Sequence, residues 1–175
     1  MTVEKLQEGV TTAKKNVLIV GSGYLGEALD WDLTDHEYSV TLADLHPHQE
    51  NCLPVDVRDG SSVAALAQQV EAPDVVVLTV STAGGDEGAY KQLYLDGTKH
   101  VLQHFPQSQL CLCSSTSVYG VDDGSWGTEA HSVNPFTPKG EILHEAEKLV
   151  MKAGGLVARL SAMYGPERCE LLTRF

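Results

Sequence analysis

A chain of 175 residues with 42% apolar side chains has the length of one domain and enough apolar mass to bury a core. Its net charge of −12 excludes nucleic acid and anionic membrane as partners, because neutralising phosphates takes clustered Lys and Arg; any bound phosphate is expected on backbone amides. No run of 18 apolar residues occurs and residues 1–15 are polar and charged, which predicts no membrane segment and a cytoplasmic chain.

Residues 1–15 are expected to form a flexible N-terminal tail, followed by a single α/β domain over 16–175. Short apolar runs then alternate with longer helical patterns, the rhythm of a doubly wound parallel sheet. A strand over 16–20 leads through a glycine-rich turn into a helix over 24–35. Strands over 39–43 and 53–55 precede a helix over 61–70, and a strand over 74–80 precedes a helix over 86–104. The remainder reads as a strand over 109–114, a helix over 139–153 stopped by Gly154 and Gly155, and a strand over 156–160. Val17-Leu18-Ile19-Val20 and Val75-Val76-Val77-Leu78 are unbroken apolar runs, as strands buried on both faces require. Cys52, Cys111, Cys113 and Cys169 show no CxxC or metal spacing and read as buried free thiols in a reducing compartment. His100 and His104, one helical turn apart, read as a surface pair.

The first strand runs straight into Gly21-Ser22-Gly23-Tyr24-Leu25-Gly26, a GxGxxG with its strand before it and its helix behind. Gly21 permits the tight turn, Gly23 lets backbone approach a pyrophosphate, and Gly26 lets helix and strand pack closely. Free N–H groups and the positive end of the helix dipole then meet the diphosphate. The second strand ends at Asp44, 18 residues past Gly26, where its carboxylate can accept from both adenosine ribose hydroxyls. It would repel a 2′-phosphate, and no Arg or Lys follows in 45–51, so NAD is predicted in preference to NADP, with His46 and His48 keeping NADP open. After the third strand, Asp56 can accept from the adenine amino group while Val57 packs on the ring; the competing reading is a helix N-cap, with Asp59 or Ser61 as the cap. Thr79 and Ser114, at the ends of the fourth and fifth strands, complete the candidate cofactor contacts.

Four further segments carry a resemblance. Asp96-Gly97-Thr98 resembles an Asn-Gly-Thr turn, Ser114-Ser115-Thr116-Ser117-Val118-Tyr119-Gly120 an SSxxVYG strand end, Ala146-Glu147-Lys148-Leu149-Val150 an AE-x-L-V helix end, and Arg159-Leu160-Ser161-Ala162-Met163-Tyr164-Gly165-Pro166 an R-L-x-x-x-YGP segment. In family order these resemble the extended and atypical short-chain dehydrogenase/reductases, the NAD-dependent epimerase/dehydratase family. The resemblance implies a Rossmann fold and a nicotinamide enzyme in which a Ser polarises a substrate oxygen, a Tyr moves the proton and a Lys lowers the Tyr pKa. It assigns the polarising role to Ser115, whose hydroxyl can alternatively satisfy the strand-end backbone.

The YxxxK pair of that family is absent. Counting back from Glu147 puts Lys139 at the Tyr position and Leu143 at the Lys position, so the chain is similar to the atypical branch that lacks the pair. Tyr119 and Lys139 are the remaining candidates for proton transfer, against the plainer readings of a packed ring and a solvated first-turn lysine. Family members build their substrate lobe largely from sequence after YGP, of which only residues 167–175 follow here. The resemblance therefore implies an oxidoreductase acting on a small carbonyl or nucleotide-sugar substrate with an incomplete catalytic set. The alternatives are a non-catalytic dinucleotide-binding or sensing protein, a truncated fragment of a longer enzyme, or a Rossmann domain for another nucleotide such as an S-adenosyl group. Family pairing through the fourth and active-site helices implies a possible homodimer, with Leu93, Leu143 and Leu149 as contacts unless they face the sheet.

Overall fold

β1 (Asn16–Val20) is an apolar run with four of its five residues buried: parallel neighbours flank it on both edges and helices cover both of its faces. The structure, a computed structural model, describes residues 14–36, 38–82, 84–120, 124–166 and 168. Residues 1–13 of the expected tail, and Cys169, lie outside the described residues. β1 pairs with β2 (Ser39–Asp44) and with β4 (Val75–Leu78); β3 (Leu53–Pro54) joins the outside of β2, and β5 (Gln109–Ser115) and β6 (Leu156–Leu160) extend the other half. The order β3-β2-β1-β4-β5-β6, parallel throughout, is that of a Rossmann sheet. Its direction of progress reverses between β1 and β4, which opens a crevice at their carboxyl ends.

Two expected strands are shorter than the apolar runs that announce them. The run over 74–80 is paired only over Val75–Leu78: its partner β1 ends at Val20, opposite Leu78, and the Thr79 N–H and hydroxyl close the end on the Val20 and Gly21 carbonyls at 2.9 and 2.5 Å. β3 stops at Pro54, an edge-strand residue with no N–H, and the chain turns through Asp56 to Asp59. β2 and β5 each gain one residue, Asp44 and Ser115.

α1 (Tyr24–Asp35) lies on one face of the sheet, where Leu29 and Leu33 pack with Val17, Ile19, Leu42 and Cys52. α2 (Gly60–Gln69), α3 (Glu87–Tyr90), α4 (Gly97–His104) and α5 (Pro138–Lys152) cover the opposite face, where Leu18, Val20, Val76, Leu78 and Leu112 meet Val63, Leu66, Val101 and Val150. On the α1 side, the alternate residues Val75, Val77, Cys111 and Cys113 are only half-buried and Leu156 is 56% exposed. No described helix lies over β5 and β6 there.

Caps explain the helix bounds. Asp59 starts α2 by accepting from the Ser61 N–H at 2.9 Å, which settles the cap in favour of Asp59. Thr137 caps α5 with Pro138 in the first turn, and at its end Gly154 takes φ 78° while the Gly155 N–H returns to the Val150 carbonyl at 2.9 Å. The expected helix over 86–104 is capped by Asp86 and contains a π segment, Lys91–Asp96, between α3 and α4. Such a widened turn leaves no mark in apolar spacing.

Candidate functional site

The glycine loop sits at the reversal point, and its glycines have different tasks. Gly21 takes φ 111° with its N–H on the Ala43 carbonyl at 2.8 Å, and a Cβ there would lie 2.8 Å from Thr79 Oγ1. A Cβ on Gly26 would collide with the Gly21 carbonyl oxygen, so α1 could not approach the loop with any larger residue. Gly23 is the opposite case: a Cβ would meet nothing within 4 Å, because the residue faces open space. Leu25 is half-buried, and Tyr24 is exposed with the Arg168 guanidinium 5.5 Å from its ring centroid.

That open space is a cavity of about 380 Å³, bordered at one end by Gly21, Gly23 and Asp44, at another by Leu45, Val57 and Arg58, and on its far side by Thr79 to Thr82. The Asp44 carboxylate is fixed in place: Oδ2 accepts the Ser22 N–H at 2.6 Å and Oδ1 the His46 N–H at 2.8 Å. Half-buried at the strand end and bordering the cavity, it has acceptor positions on its oxygens beyond those two bonds. The Cys52 thiol lies behind it, pushed up by burial and by the Asp44 charge, with the Ser22 hydroxyl acting the other way.

Asp56 and Val57 both border the cavity, but the Asp56 carboxylate is already paired. Arg58 closes on it with Nε to Oδ1 and Nη2 to Oδ2, each at 2.8 Å, and its own backbone N–H adds 3.0 Å to Oδ1. The Arg58 hydrogen bond holds the Asp56 carboxyl below the usual carboxylate range against the opposing effect of burial. Arg58 is a charged site residue that sequence reasoning missed, and Leu45, Ser81, Thr82, Ala89 and Leu93 join it on the cavity wall. A search for cations confined to 45–51 passes over it, although the folded β3 exit carries it to the cavity wall. Val57 is buried under Gly97, whose Cβ would come within 3.0 Å of it, and its carbonyl accepts from His100 Nδ1 at 2.8 Å. This corrects the surface reading of His100.

The candidate catalytic residues do not border this cavity. Ser115, at the end of β5, accepts the Ser117 N–H at 3.2 Å and so caps the 3₁₀ turn Thr116–Tyr119. The Tyr119 ring lies 4.8 Å from the Arg159 guanidinium, and Lys139 Nζ lies 5.0 Å over the Tyr90 ring. The Ser114 hydroxyl, expected at the cofactor, instead donates to Glu147 Oε1 at 2.6 Å in the core between α5 and β5. Leu143, at the family's Lys position, is 3% exposed; Leu93 and Leu149 are partly buried against the core, and Leu93 also borders the cavity.

Glu147 is wholly buried. Besides Ser114 it takes Arg159 Nη2 at 2.8 Å and Nε at 3.1 Å, and His144 Nδ1 stands 3.6 Å away. Burial alone would raise its carboxyl, yet the Arg159 and Ser114 hydrogen bonds together hold it below the usual range. Among the described residues no group of three His, Cys, Asp or Glu could hold a metal, and no helix is long and apolar enough to cross a membrane.

Comparisons agree with this geometry. The sequence pattern of the NAD dependent epimerase/dehydratase family matches residues 17–174. A solved structure from Methylobacillus flagellatus, assigned to the NAD-dependent epimerases/dehydratases, superposes with a TM-score of 0.75 at 24% identity, over 92% of this chain and 59% of its own. A short-chain dehydrogenase/reductase superfamily protein from Agrobacterium tumefaciens with bound NAD gives 0.65 at 23%, over 83% and 48%. UDP-glucose 4-epimerase from Brucella ovis in complex with NAD gives 0.72 at 21%, over 86% and 52%. No curated protein matches the chain in sequence. The chain spans between 48% and 59% of the length of these three structures, and at such identities the likeness speaks for the fold.

Proposed function

The chain belongs to the NAD-dependent epimerase/dehydratase family, and from that premise we propose that it binds NAD across the β1–β4 crevice and serves an epimerase/dehydratase-type oxidoreductase acting on a small carbonyl or nucleotide-sugar substrate. The observation that carries the reading is the Asp44 carboxylate, tied to the glycine loop by Ser22 and bordering a cavity that Gly23 leaves open. In it Gly21 to Gly26 would hold the diphosphate, Asp44 the adenosine ribose, Asp56 and Val57 the adenine, and Thr79 the floor beneath. The Asp44 charge favours NAD over NADP. Bound NAD supplies the hydride acceptor. Ser115 would polarise the substrate oxygen, and Lys139 or Tyr119 would take the proton role left by the missing YxxxK pair.

A second reading, a non-catalytic dinucleotide-binding or sensing protein, is favoured by a specific observation: Leu143 is core and Lys139 rests on Tyr90, so no Tyr–Lys pair stands on α5. Calorimetric titration with NAD, NADH and NADPH tests the shared part. Binding of NAD or NADH that is lost in Asp44→Ala and Gly23→Val supports the site, and no binding to any dinucleotide overturns it. A change in NADH absorbance with UDP-glucose that is lost in Ser115→Ala favours the enzyme over the sensor.

A further inference from the structure

The base end of the cavity contains a charged pair that neither the ribose nor the diphosphate requires. Asp56 and Arg58 both border it, two residues apart around the buried Val57. Oδ1 of Asp56 takes two donors, Arg58 Nε at 2.8 Å and the Arg58 N–H at 3.0 Å, which fills its ordinary acceptor capacity. Oδ2 takes only Arg58 Nη2, at 2.8 Å, and keeps one acceptor position. A bidentate fork fixes the carboxylate plane as well as its charge. The carboxylate is therefore a directed single acceptor, already neutralised, beside the apolar wall of Leu45, Val55 and Val57.

We propose that Arg58 is a positioning residue for base specificity: its fork aims the free lone pair of Asp56 Oδ2 at the exocyclic amino group of an adenine seated against Val57. This rests on the dinucleotide reading above, with Asp56 and Val57 at the adenine, and adds to it the dependence of that base preference on Arg58. A base with a carbonyl oxygen at that position would set oxygen against oxygen. The neutralised pair also lowers the cost of covering the carboxylate with a base, because an unpaired charge would lose its hydration there. A lysine could keep the charge but could not form the fork.

The test is calorimetric titration of the wild-type chain, Arg58→Met and Arg58→Lys with NAD, nicotinamide hypoxanthine dinucleotide and NADP, with thermal melting to verify folding. The wild type is expected to prefer NAD over the hypoxanthine dinucleotide by about tenfold or more, the order of one hydrogen bond to a charged acceptor. Both variants should reduce that ratio to within about twofold while their melting temperatures stay near wild type. An unchanged ratio in the variants, or a wild-type ratio near one, overturns the assignment. So does a selective loss of NADP affinity with the base preference kept, which would make Arg58 a phosphate contact. Absence of binding by the wild type to all three overturns the dinucleotide reading itself, a different result from binding without base preference.

Discussion

Glu147, on α5, and Arg159, on β6, form a two-point ion pair with Nη2–Oε2 at 2.8 Å and Nε–Oε1 at 3.1 Å, and the carboxylate is fully buried. With Ser114 as a third donor, one side chain joins a helix to two adjacent strands, and the strand it holds by Ser114 is the one that ends in Ser115. The sequence match at AE-x-L-V and R-L-x-x-x-YGP is thus a match in packing chemistry before it is one in catalysis.

Replacing Glu147 by Gln leaves the Arg159 charge without a counterion in a mostly buried site. Loss of one partner of such a pair costs about 3 kcal/mol or more, equivalent to roughly 6–12 °C in Tm for a chain of this size. Thermal melting of Glu147→Gln against wild type measures it, and an unchanged Tm would show that the pair contributes nothing net.

The same pair sets a pH dependence. The Glu147 carboxyl is held below its ordinary value of 4.5, so its contribution to stability is present above that value and is lost as pH falls through the lower folded value. Urea midpoints should therefore decline below about pH 4.5 in the wild type, with a shallower slope in Glu147→Gln. Equal slopes would assign acid lability to other carboxylates.

Two glycines of the loop separate binding from folding. Gly23→Val meets empty space and should leave Tm within about 1 °C while abolishing NAD binding. Gly26→Ala drives a methyl into the Gly21 carbonyl and should lower Tm as well as binding. Paired melting and titration of both variants checks the contrast; retained binding in Gly23→Val would move the dinucleotide away from the loop.

Residues 16–44 were the most legible because their chemistry is local: an apolar run, three glycines at fixed offsets and a carboxylate at the next strand end fall within one βαβ unit. Arg58 was not legible in its role, since only the parallel pairing of β2 with β3 brings it beside Asp44's strand end. Ser114 and Ser115 show a second limit. Adjacent residues on a strand point to opposite faces, and which of the two meets Glu147 depends on the packing of α5, 33 residues ahead of Ser114. Leu93, Leu143 and Leu149 show a third, because helical spacing gives a stripe without saying what the stripe touches.

Cys113 is buried enough to push its thiol up to about 11. At pH 8 its thiolate fraction is then on the order of a thousandth, so alkylation by iodoacetamide should be slow and should speed roughly tenfold per pH unit. Peptide mapping after timed alkylation reads this directly, and rapid labelling of Cys113 at pH 8 would contradict its burial.

Val75, Val77, Cys111 and Cys113 on the α1 side of β4 and β5, with the exposed Leu156 beyond them, lie on a chain carrying a net charge of −12. Apolar surface attracts only on contact, whereas like charge repels copies before contact. The reach of that repulsion is about 10 Å at 0.1 M salt and about 3 Å at 1 M. The charge that holds copies of this chain apart therefore weakens as ionic strength rises, while the attraction of the half-covered sheet face does not.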